Sequence, residues 1–229
     1  MLESLREEVF KANLELVRRH LVIYTFGNAS GFSRDEDLAV IKPSGVPYET
    51  MTPKDLVVTD LDGRVVEGGL RPSSDLPTHL ALYRAFPDVG GVVHTHSMHA
   101  TAWAQARREI PCLGTTHADE FRGPVPITEE LPPAAIDADY ERNIGQAIVR
   151  RFAALDPLEI PAVLVAGHGP FTWGKTAAEA AQTAVLLELL ARMAFHTFAI
   201  NPQARPLSDV QRDKHFLRKH GKGAYYGQK

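Results

Sequence analysis

A single cysteine, Cys112, is all the thiol this chain carries, so no intramolecular disulfide can staple it, and a reducing cytosol is the expected compartment. A basic excess is missing too. The 25 Lys and Arg stand against 28 Asp and Glu, a net charge of −3, which excludes the electrostatic footprint of a nucleic-acid or anionic-membrane binder. The start, Met1-Leu-Glu-Ser-Leu-Arg-Glu-Glu, has no apolar stretch of the signal-peptide kind. No uncharged apolar run approaches the length of a bilayer span: the stretch from Ala177 to Ile200 is interrupted by Glu179, Glu188 and Arg192 and reads as a helix with one buried face. Internal repeats and low-complexity tracts are also lacking. What is present is ordinary globular composition, 229 residues with 44% hydrophobic and 23% charged, enough for one large core or two small ones.

Periodicity supplies a coarse fold. Leu2, Leu5, Val9, Ala12 and Leu16 recur at helical spacing over 2–20. Residues 38–42 and 56–60 are short β-branched runs bounded by Pro and Gly, and Asp62-Gly63 predicts a hairpin between Val57-Val58 and Val65-Val66. A helix is expected over 75–86, ending before Pro87, then a strand over 90–96 and another over 162–166 that runs into the loop Gly167-His-Gly-Pro. Thr176-Ala-Ala-Glu179 and Ser208-Asp-Val-Gln211 have the capping-box form and mark two later helix starts, with Gly221 as the stop of the last. The proline-rich stretch 124–133 reads as a loop. The whole, 1–229, reads as one α/β domain with a mixed or mainly antiparallel sheet covered by helices.

Ten histidines are the unusual count. His94 and His96 stand two apart in an expected strand, where period-two alternation puts both imidazoles on one face. His168 follows another expected strand, between two glycines that let the chain turn and leave the ring unobstructed. Three histidines with an open fourth position is the pattern of a catalytic zinc site, and Asp75 could add a carboxylate. His99, His117 and His215 are nearby candidates. His20, His79, His196 and His220 belong to no constellation and read as structural.

Three short segments suit an anion. Gly27-Asn28-Ala-Ser offers small residues and an amide, and Lys42-Pro-Ser44-Gly45 an ammonium, a hydroxyl and a turn. Ser73-Ser74 lies at the start of the 75–86 helix, where free N–H groups and the helix dipole favour negative charge. Taken together they point to a phosphorylated small substrate.

These segments, with Thr115-Thr-His-Ala-Asp119, Gly167-His-Gly-Pro-Phe171 and the ending Asp213-Lys-His-Phe-Leu-Arg-Lys-His-Gly to Tyr225-Tyr-Gly, resemble the class II aldolase/adducin family over nearly the whole chain, and most nearly its sugar-phosphate epimerases. The resemblance implies a three-layer α/β/α fold with a mainly antiparallel central sheet, and a homotetramer of C4 symmetry with active sites at subunit interfaces. It implies one Zn2+ per subunit, or another divalent ion, on His94, His96 and His168, with Asp75 approaching or binding it. Substrate contacts fall on Gly27, Asn28, Lys42, Ser44, Gly45, Ser73 and Ser74, with His215 beside them, and the acid/base pair on Asp119 and Tyr226. Ala166-Gly167 precedes His168 where relatives often have His-Ser, a departure that spares the ligand itself. The implied activity is interconversion of L-ribulose 5-phosphate and D-xylulose 5-phosphate at C4 by cleaving and remaking the C3–C4 bond, because the C4 hydrogen is not next to the carbonyl and is not acidic. The Tyr226 tail is expected to reach a neighbouring subunit's site, with Gly221, Gly223 and Gly227 letting it bend. Two rivals stand beside this reading. Aldolases of the same family carry a glutamate where this chain has Asp75, and a non-enzymatic, adducin-like assembly module would have lost its ligands.

Overall fold

The computed structural model of the chain describes residues 2–226, which leaves Met1, Gly227 and the last two residues outside the description. The first helix, α1 (Glu3–Arg18), buries Val9, Ala12 and Leu16, the stripe its spacing predicts. Strands β1 (Asn28–Ser33), β2 (Leu38–Ile41), β3 (Val57–Asp60) and β4 (Val65–Glu67) follow, the last two as the hairpin expected around Gly63, which takes φ +82°. Then come α2 (Leu76–Ala85), β5 (Gly91–His94), α3 (Met98–Gln105) and the short α4 (Thr115–Ala118). Helices α5 (Pro133–Ala138) and α6 (Tyr140–Arg151) precede the hairpin of β6 (Ala162–Leu164) and β7 (Pro170–Gly174). The chain closes with α7 (Ala177–Ile200) and α8 (Asp209–His220).

The seven strands form one sheet in the order β4-β3-β2-β1-β5-β7-β6, and every ladder in it is antiparallel. Neighbouring residues on a strand go to opposite cores, as the two-residue repeat requires. Val40, Val58 and Val93 pack with Val9, Ala12 and Leu16 of α1 and with Ala177, Ala180 and Ala184 of α7. Ile41, Val57 and Val92 pack on the other face with Leu80 and Tyr83 of α2, Trp103 of α3, Ile144 and Ile148 of α6, and Leu187 to Ala194 of α7. Helices therefore cover both faces, and the three-layer α/β/α arrangement with an antiparallel sheet is the one the chain adopts.

Helix α7 is long and apolar enough, by length and composition, to cross a bilayer. One face of it belongs to the core, with Ala177, Ala180, Ala184, Leu187, Leu190 and Ala194 buried against the two clusters, while Leu189, Met193, Phe195 and Ile200 are exposed. Its cap is the one expected: Thr176 Oγ1 accepts the Glu179 N–H at 3.1 Å. Glu179 itself reaches back one residue further than a capping box requires, accepting the Lys175 N–H at 2.9 Å. Ser208 caps α8 on the Gln211 N–H at 3.4 Å.

One polar link fixes where β1 sits. Asn13, fully buried on α1, accepts the Ala29 N–H at 2.9 Å and donates to the Ala29 carbonyl at 3.1 Å. Ala29 lies next to Asn28, and Asn28 pairs with His94 across the β1–β5 ladder. The helix thus sets the height of the strand that flanks the first histidine.

Candidate metal centre

His94 is the last residue of β5, paired with Asn28 on one side and Phe171 on the other, so its backbone is held from both neighbours. Its ring stacks on Phe171, centroids 4.3 Å apart. The strand stops there. His96 lies beyond it, in the link 95–97 to α3, so the alternation argument for the pair does not apply as stated. His168 sits in the β6–β7 turn, where Gly167 takes φ +71°. All three rings still converge: His94 Nε2 is 3.1 Å from His96 Nε2 and 3.0 Å from His168 Nε2. Their ligand atoms lie within 4.8 Å of one another, and this is the one such group among the described residues.

The protons decide what the group can hold. His94 Nδ1 is 2.9 Å from the Pro170 carbonyl, which can only accept, so Nδ1 carries the hydrogen and Nε2 presents a lone pair to the cluster. Burial and the neighbouring His94 and His96 imidazoles push His168 down to about 4, and burial followed by His94 lowers His96. His96 and His168 thus resist protonation, and with the Nε2 lone pair of His94 turned to the same point the three rings suit a divalent cation. Asp75, at the N-cap of α2, lines the same cavity, but its carboxylate is not among the converging atoms; Oδ2 accepts the Asn28 amide at 2.6 Å. Burial opposes ionisation of Asp75, yet its carboxyl stays below the usual carboxylate range, helped by the Asn28 amide donated to Oδ2.

Two residues that sequence reasoning missed lie at this centre. Glu141 lines the cavity, and Tyr140 places its hydroxyl 3.0 Å from His168 Nδ1. Both open α6, and no motif marked them. Outer hydrogen bonds of this kind fix a ligand's tautomer and ring direction. Tyr140→Phe is therefore expected to weaken divalent-metal affinity by about 10-fold or more while leaving the melting temperature within a few degrees; the check is metal titration against a chelator.

The cavity has a volume of about 360 Å³ and is lined by every residue expected to touch the anion: Gly27, Asn28, Lys42, Ser44, Gly45, Ser73 and Ser74. Two loops are laced together to form it, through the Ser44 N–H on the Arg71 carbonyl at 2.9 Å and the Ser73 N–H on the Lys42 carbonyl at 3.0 Å. At Gly27, with φ +72°, a side chain would meet Val22 Cγ1 at 2.6 Å and the His94 carbonyl at 2.9 Å. Lys42 is used differently from the expectation. Its ammonium donates to the Val46 carbonyl at 2.9 Å and lies 4.6 Å over the Tyr48 ring, and burial pushes its pKa down to about 8. Tyr48 in turn donates to the Gly27 carbonyl at 2.9 Å, so Lys42 and Tyr48 brace the loops. Asn28 Oδ1 is buried without a hydrogen-bond partner beside this cavity.

Asp119, His215 and Tyr226 gather elsewhere, and none of them lines this cavity. Arg218 of α8 grips Asp119 with two parallel bonds, Nε to Oδ1 at 2.9 Å and Nη2 to Oδ2 at 2.7 Å. His215 Nδ1 is 3.1 Å from the same Oδ1. Burial opposes the charge on Asp119, but Arg218 and His215 together hold its carboxyl below the usual range. The Tyr226 ring lies under the Arg218 guanidinium at 4.9 Å, and its N–H donates to the Arg218 carbonyl at 3.1 Å. One arginine thus holds both members of the expected acid/base pair, and His215 belongs with them rather than with the anion loops. A larger cavity of about 510 Å³, between α8 and Trp173, holds no convergent ligand set.

The remaining histidines sort themselves by burial. His117 sits in the core and donates from Nε2 to the Gly123 carbonyl at 2.7 Å, and His79 lies 2.6 Å from Ser30 Oγ beneath the site. Burial lowers His117 to about 4 and His79 to about 3. Both folded values lie below the unfolded one, so the unfolded chain takes protons that the native one refuses. Stability is complete above pH 6.5 and is lost as pH falls toward 4, by about 1.4 kcal/mol per pH unit for each histidine. Urea unfolding of the apoprotein at pH 6.5 and 5 should show this fall, and a flat profile would contradict the two buried neutral rings.

Comparison with known proteins agrees with this geometry. A family model described as the class II aldolase and adducin N-terminal domain matches residues 7–195. The L-ribulose-5-phosphate 4-epimerase UlaF of Salmonella paratyphi C is 53% identical over 228 residues, covering 100% of both chains, and the protein of that name from Salmonella typhi matches to the same extent. Among solved structures, an L-fuculose 1-phosphate aldolase superposes with a TM-score of 0.78 at 26% identity, over 93% of this chain and 94% of its own. A second one, from Glaciozyma antarctica PI12, shares the fold with a TM-score of 0.77 at 18% identity, over 98% and 85%. With the family match spanning most of the chain and the three histidines converging as its motifs imply, the chain belongs to the class II aldolase and adducin family.

Proposed function

We propose that this protein interconverts L-ribulose 5-phosphate and D-xylulose 5-phosphate by breaking and remaking the C3–C4 bond, with a divalent ion, zinc by preference, on His94, His96 and His168. The observation that carries the reading is the 53% identity, end to end, to proteins named for that epimerisation. The residues present support it. Three converging imidazoles suit zinc, and such an ion, when bound, would supply Lewis acidity for polarising a ketose carbonyl.

The chain's own groups do the rest. Ser44, Ser73, Ser74 and the backbone of Gly45 hold the phosphate, which keeps the aldehyde half from escaping while it turns its other face. Asp119, kept ionised by Arg218, exchanges the proton of the C4 hydroxyl on one face, and the Tyr226 phenol serves the other, their roles reversing with reaction direction. This pair does not line the histidine cavity of its own chain, so we assign it to the site of a neighbouring subunit in a C4 homotetramer. The buried, unpaired Cys112 suits the cytosol.

A second reading has one observation behind it, the fold shared with an L-fuculose 1-phosphate aldolase at 26% identity. The same three histidines would serve aldol cleavage. Incubation with L-ribulose 5-phosphate and Zn2+ separates the two. D-xylulose 5-phosphate with little free glycolaldehyde phosphate supports the epimerase; stoichiometric release of the aldehyde, or no turnover, ends that proposal.

A further inference from the structure

A carboxylate from α7 stands at the start of α3. Glu188 accepts the His99 N–H at 2.9 and 3.1 Å and the Ala100 N–H at 3.0 Å, and its Oε1 lies 2.8 Å from His99 Nδ1. Those backbone groups are among the first of α3, which have no partner inside the helix, and Ser97 at the N-cap supplies none from its side chain. A largely buried carboxylate is unfavourable unless paired, and here Glu188 is paired on both oxygens.

The consequence concerns His96. The Pro170 carbonyl holds the His94 ring through Nδ1, and the Tyr140 hydroxyl holds that of His168. Among the described residues no hydrogen bond of that kind holds His96, which is exposed and sits in the irregular link 95–97. The Phe26 ring stands 6.4 Å from the His96 ring and the Thr95 N–H donates to the Pro170 carbonyl at 3.4 Å; beyond these, the direction of His96 depends on the two ends of that link. One end is β5, locked in the middle of the sheet; the other is the start of α3, tied to α7 through Glu188.

We propose that Glu188 is a positioning residue of the metal centre: by anchoring the N-terminus of α3 it holds His96 at the distance where its Nε2 joins those of His94 and His168. The inference rests on the metal reading given above. It is tested on the full-length protein with Glu188→Ala and Glu188→Gln. Ser208→Ala, which removes the cap of α8, controls for the loss of a helix cap elsewhere.

The readouts are Zn2+ affinity by chelator competition, the visible spectrum of the Co2+-substituted protein, and the melting temperature. Glu188→Ala is expected to weaken Zn2+ binding about 10-fold and to shift the Co2+ bands, as losing an outer support does at other metal sites. Glu188→Gln, which keeps one acceptor oxygen, should recover part of that loss, and Ser208→Ala should lower only the melting temperature. Unchanged affinity and an unshifted Co2+ spectrum in both Glu188 variants would overturn the proposal whatever the melting temperature did. If Glu188→Ala does not fold, Glu188→Gln decides it by the same two readouts. Absence of Zn2+ binding by the unaltered protein would instead overturn the metal reading, and this inference with it.

Discussion

Replacing His96 by Asn should strip the protein of most of its divalent metal and of nearly all turnover. Three nitrogen donors are the whole of the convergent set among the described residues, with His94 Nε2 at 3.1 Å from His96 and 3.0 Å from His168. Asn keeps the size and polarity but offers no imidazole lone pair at that point. Because His96 is exposed and makes no hydrogen bond to the fold outside the cluster, its loss should leave stability nearly untouched. The affinity loss should exceed the roughly 10- to 100-fold typical of outer-shell changes. Metal content after dialysis, measured beside the melting temperature, checks both parts; a variant with full metal and full activity would remove His96 from the site.

Tyr226→Phe should fold, assemble and bind metal as before, yet lose epimerisation by about 100- to 10,000-fold, the usual worth of a positioned acid or base. The ring remains for Arg218 to lie over, and the backbone bond from residue 226 to the Arg218 carbonyl is untouched, so only the phenol is removed. Asp119→Asn is a less clean probe, because it also breaks the paired bonds that tie Asp119 to α8. Retro-aldol release of aldehyde can persist in Tyr226→Phe, since protonation on one face alone is lost. Full epimerase activity would take Tyr226 out of the mechanism.

Subunit mixing sharpens the point. Arg218 holds Asp119 and Tyr226 in one chain, so mixing chains that carry Asp119→Asn with chains that carry Tyr226→Phe leaves every site with one lesion and should restore nothing. Mixing His96→Asn with Tyr226→Phe should restore about a quarter of the sites, those where an intact histidine set meets an intact neighbouring tail.

Side-chain periodicity and turn chemistry mark several elements directly in the sequence. The α1 stripe, the Gly63 hairpin and the caps at Thr176 and Ser208 all lie where spacing and turn chemistry put them. Residues 28–33, Asn-Ala-Ser-Gly-Phe-Ser, did not look like a strand, because small polar residues there face a helix at close range and a ligand cavity, and carry no alternation. Strand β7 is hidden in the sequence for a similar reason: Pro170 and Gly174 at its ends resemble loop residues, while the ladders on both sides supply its order. His94 and His96 were paired by a rule of strands that holds only for the first of them. Tyr140, Glu141 and Glu188 left no local mark at all, since each acts on residues far away in the chain, 28 positions in the case of Tyr140 and 89 in the case of Glu188. Lys42 illustrates the reverse: its motif was visible, but the direction of its ammonium is a tertiary fact.

The sheet order has a kinetic meaning. Strand β5, which carries His94, is bordered by β1 on one side and β7 on the other, so the site is framed by segments drawn from near residues 28, 94 and 171. Contacts of such long sequence separation form late and slowly, because loop closure must precede them. A chain emerging from the ribosome cannot complete the histidine triad until β7 has been made and has inserted beside β5, well after α1, β2 and β3 are available to collapse. Closure of the triad is thereby a late event of folding, and a nascent chain that has not yet reached His168 carries only two of the three imidazoles.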